Sequence, residues 1–429
     1  MDTNRQDTAI IWLLCTGIIC YGVFYSANIY ILQHITIASY GNFAVSLKIL
    51  SMLCALLTIA KQFSLTIYMP QYEKSHKYIQ RTSVTTWLFK NLSLSAFILT
   101  IGLATTWFLF YLINNETFVN VFQDSPFHFT LFFLPILAFF IILSCLSLAQ
   151  KSLNKSVASF VTILPNILIT AVFILGIFTI NTKTMYTIGL FLTCQATVLV
   201  LYLFISQTQY APNFASGYAI QEHNHWYTKS SIYWASTISH HFSIILSLLA
   251  LEILSPEHYV GEYAIILLFV IAYFALISPL HTYLSSQLGV LLDTNHERLN
   301  KLIKIISKLQ LVIILLGCII TIIFGTSLLA YIGAPLSILP LLITAMILFG
   351  LAIITSIPLR IVVHSELGHY ALYLKGFRLI GCCLLLSALI PRYGVLGAII
   401  SDTVPLIIIN IIGALICSNR LKINGLALK

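Results

Sequence analysis

The chain has 429 residues, of which 59% are hydrophobic and only 8% are charged. A water-soluble globule cannot bury so much apolar surface, so the composition indicates an integral membrane protein. The net charge of +9 comes from basic residues that flank the apolar runs. This placement favours contact with anionic lipid and argues against a nucleic-acid partner.

Apolar runs of about 20 residues, long enough to cross a bilayer as an α-helix, recur along the whole chain. The first run is interpreted as a membrane helix because no small-residue cleavage site follows it. The nine cysteines lie inside such runs without metal-ligand or CxxC spacing, which is typical of core side chains. The sequence thus predicts an all-α membrane protein with twelve transmembrane helices, at 9–32, 41–68, 84–113, 127–149, 157–181, 185–205, 231–254, 261–288, 304–330, 335–358, 370–390 and 394–417.

The basic residues predict the orientation. Most of them fall in alternate loops, whereas the other loops contain only Lys183 and Arg392. Because cytoplasmic loops carry the basic excess, both termini are predicted to face the cytoplasm. The outer loops are short, which argues against a membrane glycan polymerase or ligase but leaves it as an alternative.

The longest polar connection, 206–230, follows the sixth predicted helix. It is interpreted as a cytoplasmic linker between an N-terminal six-helix lobe, 1–205, and a C-terminal six-helix lobe, 231–429. Displacing the sequence by 220 residues places Tyr40-Gly41-Asn42-Phe43-Ala44 over Val260-Gly261-Glu262-Tyr263-Ala264, each just before a long apolar run. Such a repeat is typical of transporters built from two related bundles with a site between them.

These two repeat segments, together with Tyr393-Gly394-Val395-Leu396-Gly397-Ala398 before the last helix, carry a resemblance to a known family. They resemble the polysaccharide-exporting branch of the MOP superfamily, the Wzx-type flippases of O-antigen and other lipid-linked oligosaccharides. The resemblance implies two six-helix bundles arranged as a V around a central cavity.

The resemblance also implies a function. The protein would translocate an undecaprenyl-pyrophosphate-linked oligosaccharide from the cytoplasmic to the periplasmic leaflet of a bacterial inner membrane. It would do so without a cofactor or metal and without breaking a covalent bond, and glycan-assembly proteins would be further partners. A drug or metabolite exporter of the same MATE-like fold is the alternative.

Four basic residues lie within or near predicted helices, where a charge is costly: Lys48, Lys61, Lys375 and Arg378. One interpretation is that they bind the diphosphate of the carrier lipid. The pair at 375 and 378 shares a helix face and could form an entry clamp. The other interpretation is that the long side chains reach the membrane surface and anchor the helices.

Polar residues also form a stripe on each lobe's first helix. Tyr25 and Asn28 lie on one face of the first helix, and Thr237 and His241 on one face of the seventh. These groups suit sugar hydroxyls and rings, although hydrogen bonding between helices would also explain them.

A single carboxylate, Asp402, lies deep in a predicted helix and is the candidate for coupling transport to an ion. It could pair with a cation in the membrane or accept a proton, and the coupling ion stays open. The drug-exporting relatives place a carboxylate in the first or seventh helix. The first helix here has no acidic residue between Ala9 and Leu32.

Overall fold

The computed structural model describes residues 220–292 and 295–423, together with scattered positions between Gly22 and Ile98. Every regular element in this part of the chain is helical. We number the continuously described α-helices α1 Ile220–Leu254, α2 Glu257–Leu291, α3 His296–Tyr331, α4 Leu339–Ile354, α5 Ser356–His364, α6 Gly368–Tyr393 and α7 Val395–Ile416. A 3₁₀ turn, Leu336–Ile338, precedes α4, and a π-helical turn, Cys417–Leu421, follows α7. The all-α class is confirmed here, whereas the count of twelve helices stays a prediction.

The chain divides into two compact units. The first unit comprises Met1–Val45 and Ala235–Lys429, and the second comprises Ser46–Trp234. The predicted lobes 1–205 and 231–429, with their linker, stay a prediction.

Four helical stretches in the described part are long and apolar enough to cross a membrane: His296–Tyr331, Leu336–His364, Gly368–Tyr393 and Val395–Leu421. The second half of α3 shows how such a helix meets its surroundings. Its outward side chains Val312, Leu316 and Ile323 are 52%, 54% and 61% exposed. A continuous apolar face of this kind requires an apolar environment, so the chain is a multi-pass membrane protein. The inner membrane and the cytoplasmic termini stay predictions.

The helix α3 begins earlier than the apolar pattern indicates, at His296 instead of residue 304. The side-chain oxygen of Asn295 accepts a hydrogen bond of 2.9 Å from the backbone N–H of Arg298, which caps the helix. The first turns are therefore helical although they carry Arg298, Lys301 and Lys304, the basic residues expected at a cytoplasmic helix end.

The apolar core of the first unit is built from α2, α3 and α5. Buried apolar residues recur at every fourth position on α2 and at helical spacing on α3. Each of the two helices therefore presents one continuous apolar face. The face of α2 packs against both α3 and the short helix α5. Fully buried members of the core are Leu280, Leu284, Leu288, Leu299, Ile303, Ile306, Ile357, Ile361 and Val362.

The predicted helix at 335–358 is two helices in the structure, with a break at Thr355. Pro358 explains the break, since its ring would clash with the carbonyl of Ile354, four residues earlier. The side-chain amide of Asn410 on α7 donates to Ala352 O at 2.8 Å and to Thr355 Oγ1 at 3.2 Å. The backbone carbonyl of Ala352 next to the break is thus bonded inside the protein, as a membrane interior requires.

Two further boundaries differ from the sequence expectation. The helix α1 begins at Ile220, inside the predicted linker 206–230, because no proline or glycine interrupts the chain from there to Leu254. Gly394 forms the turn between α6 and α7 with φ 53° and ψ −123°, a conformation that only glycine adopts readily. This glycine allows the two helices to lie side by side.

Candidate functional site

The carboxylate of Asp402 lies in the interior of the first unit and is only 2% exposed. Ser247 Oγ on α1 donates to Oδ1 at 2.6 Å, and the hydroxyl of Tyr263 on α2 donates to Oδ2. The Cys382 thiol on α6 also points to Oδ1, at 3.7 Å. Three helices thus supply donors to one carboxylate on α7, which compensates part of its lost hydration.

Arg378 lies one helical turn before Cys382 on the same face of α6. It is 3% exposed, so its charge lies inside the protein and not at the membrane surface. Its guanidinium interacts electrostatically with the Asp402 carboxylate. A buried cation and a buried anion therefore compensate each other where α6 and α7 pack.

Lys375 lies three residues before Arg378, and its ammonium group turns to α1. Nζ donates to Ser236 Oγ and, at 3.2 Å, to the carbonyl oxygen of the same residue. In return, Ser239 Oγ donates to the Lys375 carbonyl at 3.1 Å. The two cations of the predicted clamp thus share α6 but bind different helices.

Arg360 on α5 is a third basic group in this unit. Its two terminal nitrogens donate to Ser285 Oγ at 3.1 Å and to His281 Nδ1 at 3.2 Å, both on α2. The positive charges of Arg378 and Arg360 both act on Lys375, as like charges close to one another do. We call Arg360, Lys375 and Arg378 the basic cluster.

The hydrogen bond from Arg360 fixes the tautomer of His281. Because arginine can only donate, His281 Nδ1 accepts and the ring proton is on Nε2. The side-chain amide of Gln310 on α3, which is fully buried, lies against Nε2. We assign the amide oxygen of Gln310 as the acceptor of this proton, because two N–H donors would otherwise face each other. The imidazole is therefore neutral and orients Arg360.

The balance of charge in the described part of this unit is basic. Asp402 is the one buried carboxylate among the described residues, and its oxygens already accept from Ser247 and Tyr263. The basic cluster supplies three cations. Such an interior favours an anion over a cation as a ligand.

The predicted aromatic and polar stripe of the N-terminal segment is partly described. The ring of Tyr25 meets Phe269 of α2 edge-on, with 5.6 Å between ring centroids. Asn28 is 5% exposed, and its Oδ1 accepts from the hydroxyl of Tyr40 at 2.9 Å. Both residues therefore contact other parts of the protein, and their role in binding substrate stays a prediction.

The other predicted site residues belong to the second unit or lie outside the described side chains. Lys48 is half-buried and belongs to the second unit. Lys61 and the side chains of Thr237 and His241 lie outside what the structure describes. Their proposed roles stay predictions.

Sequence reasoning missed Arg360, Ser247 and Tyr263 as members of the site. Arg360 falls in a predicted cytoplasmic loop, where a basic residue is ordinary. Ser247 and Tyr263 are common residue types in membrane helices. The break that Pro358 predicts in the helix is the one signal that could have placed Arg360 inside the protein.

Comparison with solved structures identifies the fold. The MATE multidrug transporter DinF-BH superposes with a TM-score of 0.72 at 14% identity, over 100% of this chain and 98% of that one. The Vibrio cholerae MATE transporter VcmN gives 0.66 at 16%, over 100% of both chains. A MOP superfamily transporter from Pyrococcus furiosus, described as having a binding pocket of reverse polarity that suggests a different function, gives 0.68 at 15%, over 96% and 95%.

The chain has the fold of the MATE transporters. At 14–16% identity this likeness shows the fold alone, so membership of the MOP superfamily stays a prediction. The polysaccharide-exporting branch is not distinguished, since the named structures are MATE and MOP transporters at 14–16% identity. No protein-family model and no curated protein sequence matches the chain.

Proposed function

We propose that this chain is a membrane exporter that moves its cargo by alternating access. The observation that carries the proposal is the MATE fold, which extends over 96–100% of the chain in the structures compared. A fold alone does not identify a cargo, so the cargo is inferred from the charges of the site. The solved structures of this fold named above are transporters, which agrees with a protein that breaks no covalent bond.

The charges favour a drug or metabolite that carries an anionic group. Arg360 and Lys375 are half-buried as whole residues. Arg378 is buried beside Asp402. Arginine can bind a carboxylate, sulfonate or phosphate through two parallel hydrogen bonds, whereas lysine acts as a point charge. The cluster thus offers both modes of anion binding.

A lipid-linked oligosaccharide is the second candidate cargo. The pyrophosphate of an undecaprenyl carrier is a double anion, and the basic cluster suits it as well as a soluble anion. In this proposal, Lys48, Lys61, Lys375 and Arg378 contact the diphosphate during translocation from the cytoplasmic to the periplasmic leaflet. Polar groups of the first and seventh predicted helices, Tyr25, Asn28, Thr237 and His241, contact the glycan.

Asp402 is proposed to couple transport to an ion through its electrostatic interaction with Arg378. Cargo that competes for the guanidinium would leave the carboxylate without its compensating charge. Whether a proton or a sodium ion then takes that place is part of the proposal to be tested.

The proposal is tested with the purified full-length chain in proteoliposomes. Three probes are compared: rhodamine 6G as an organic cation, carboxyfluorescein as an organic anion, and a polyprenyl-pyrophosphate-linked oligosaccharide with a fluorescent sugar. We expect transport of an anionic probe and little transport of the cation. Movement of the lipid-linked probe without movement of carboxyfluorescein would select the flippase.

Variants connect the result to the cluster. We expect Arg360→Gln and Lys375→Gln each to lower anion transport at least tenfold, because about 1.4 kcal/mol of binding energy corresponds to a factor of ten. Arg392→Gln is the matched control, since Arg392 is exposed at the end of α6. Transport of rhodamine 6G alone, unchanged by both cluster variants, would contradict an anionic cargo. Failure of all three probes in vesicles with a proton or sodium gradient would count against the exporter itself.

A further inference from the structure

Three lysines of α3 lie in one line along the outside of the helix. Lys301, Lys304 and Lys308 are all exposed, and they follow one another at i, i+3 and i+7, so they share one helix face. The buried side chains of the same turns, Ile303 and Ile306, lie on the opposite face and belong to the apolar core. We call Lys301, Lys304 and Lys308 the lysine stripe.

The lysine stripe continues directly into the exposed apolar surface of α3. Val312, Leu315, Ile319 and Ile322 extend the same helical spacing toward the C-terminus, and each of these side chains is at least 50% exposed. The helix is uninterrupted from His296 to Tyr331, so the cationic and the apolar parts form one continuous face. A ligand that lies along this face meets positive charge at one end and apolar side chains over the rest.

The dimensions of this face match one leaflet of a bilayer. Val312 and Ile322 are separated by about 15 Å at the helical rise, which is half of the roughly 30 Å hydrocarbon core. Lys308 lies one helical turn before Val312, where the polar headgroups begin, and Lys304 and Lys301 lie farther out. Side chains on a helix incline toward its N-terminus, so these ammonium groups point to the headgroups and away from the acyl chains.

The charge at the headgroup end of this face is positive. The one carboxylate in the sequence of α3, Glu297, lies in the first turn, beyond Lys301 and farthest from the apolar side chains. A basic excess at a helix end gives by itself only a diffuse attraction to anionic lipid. Three aligned cations that adjoin an exposed apolar face match instead the two parts of one phospholipid, its phosphate headgroup and its acyl chains.

We propose that the lysine stripe and the apolar face next to it bind an anionic phospholipid. The phosphate lies between Lys304 and Lys308, which are one turn apart and can both donate to its oxygens. Lys301 contacts the outer part of the headgroup, and the acyl chains lie along the face from Val312 to Ile322. The apolar face distinguishes a lipid from a soluble anion, since a soluble anion would use the lysines alone. The proposal does not depend on the cargo.

The site is tested by native mass spectrometry of the full-length chain in a neutral detergent, with phosphatidylglycerol titrated as the probe. Phosphatidylcholine with the same acyl chains is the neutral lipid for comparison, and we expect it to bind more weakly. In Lys304→Gln/Lys308→Gln the apparent Kd for phosphatidylglycerol is expected to rise roughly 30-fold, since each lysine near a membrane surface contributes a factor of about five.

Two further variants separate a specific site from general surface charge. Arg420→Gln/Lys422→Gln removes the same number of charges from exposed residues at and after the π-helical turn, so the Kd for phosphatidylglycerol is expected to stay unchanged. Lys304→Arg/Lys308→Arg keeps both charges and is expected to bind phosphatidylglycerol as tightly as the unmodified chain.

Four outcomes would overturn the proposal. An equal rise of Kd in the two glutamine double variants would show that charge anywhere on the surface is enough. Equal affinity for the two phospholipids would remove the role of the lysines, and displacement of phosphatidylglycerol by equimolar glycerol phosphate would remove the role of the apolar face. Tighter binding of a polyprenyl pyrophosphate at the same lysines would replace the phospholipid by a carrier lipid. No readout involves transport, so the outcomes are separable from those of the transport assay.

Discussion

The hydroxyl of Tyr263 on α2 donates a hydrogen bond to the carboxylate of Asp402 on α7, two residues separated by 139 positions in the sequence. Tyr263 is fully buried, and Asp402 is nearly so. This bond and the one from Ser247 stabilise the Asp402 carboxylate in the protein interior, near the buried guanidinium of Arg378. It also joins two helices that no local sequence pattern connects.

Replacing Tyr263 by phenylalanine is expected to destabilise the protein by about 1.5–3 kcal/mol, because a buried charged acceptor loses its hydroxyl donor. A thermal unfolding scan of the purified variant in detergent measures the effect as a fall in Tm.

Tyr273→Phe is the matched control on the same helix. Among the described residues the hydroxyl of Tyr273 contacts two neutral groups, donating to Ile314 O and lying against Cys318 Sγ, each at 3.3 Å. Its loss is expected to cost about 0.5–1.5 kcal/mol, as for an ordinary neutral hydrogen bond. An equal fall in Tm for the two variants would show that the charge of Asp402 adds nothing to the bond from Tyr263.

Replacing Arg360 by lysine is expected to lower stability by about 1–2 kcal/mol although the charge is kept. The guanidinium reaches Ser285 and His281 with two separate nitrogens, and a single ammonium group cannot reproduce this fork. The fall in Tm relative to the unmodified chain, measured in one detergent and buffer, is the readout.

The exposed Arg392 provides the comparison for this substitution. Arg392→Lys is expected to change stability by less than about 0.5 kcal/mol, as surface substitutions usually do. If Arg360→Lys behaved like Arg392→Lys, the two hydrogen bonds of Arg360 would not be stabilising.

Replacing Asn295 by alanine is expected to cost about 0.5–2 kcal/mol, because the first turn of α3 loses the oxygen that caps Arg298 N. Asn295→Asp keeps the acceptor and adds a negative charge at a helix N-terminus, so it is expected to be neutral or stabilising. Thermal scans of both variants test the cap. A decrease of the same size in the aspartate variant would contradict the role assigned to the side-chain oxygen.

Some features of the fold could be predicted from the sequence because they depend on single segments. An apolar run must be in lipid whatever its neighbours are, so the helices α3, α4, α6 and α7 were expected close to where they lie. The starts of α1 and α3 were missed because both extend into polar residues. Hydropathy measures solvent preference, whereas a helix ends where its backbone hydrogen bonds end.

The candidate site was predictable only in its residue types. Lys375, Arg378 and Asp402 stood out because charges inside apolar runs are costly and therefore few. Arg360 did not, since a loop near the membrane surface is an ordinary place for arginine. Whether a charge is a surface anchor or an interior ligand depends on which way its helix faces.

The sequence by itself determined that this protein is in a membrane, that it is helical, and which few charges fall inside apolar runs. Only the tertiary structure decided that Ser247 and Tyr263 bond Asp402, that His281 orients Arg360, and that Lys375 bonds α1. The physical reason is that transfer into lipid is a property of each segment and adds along the chain. A hydrogen bond or an ion pair depends on two groups whose distance is set by the packing of the helices.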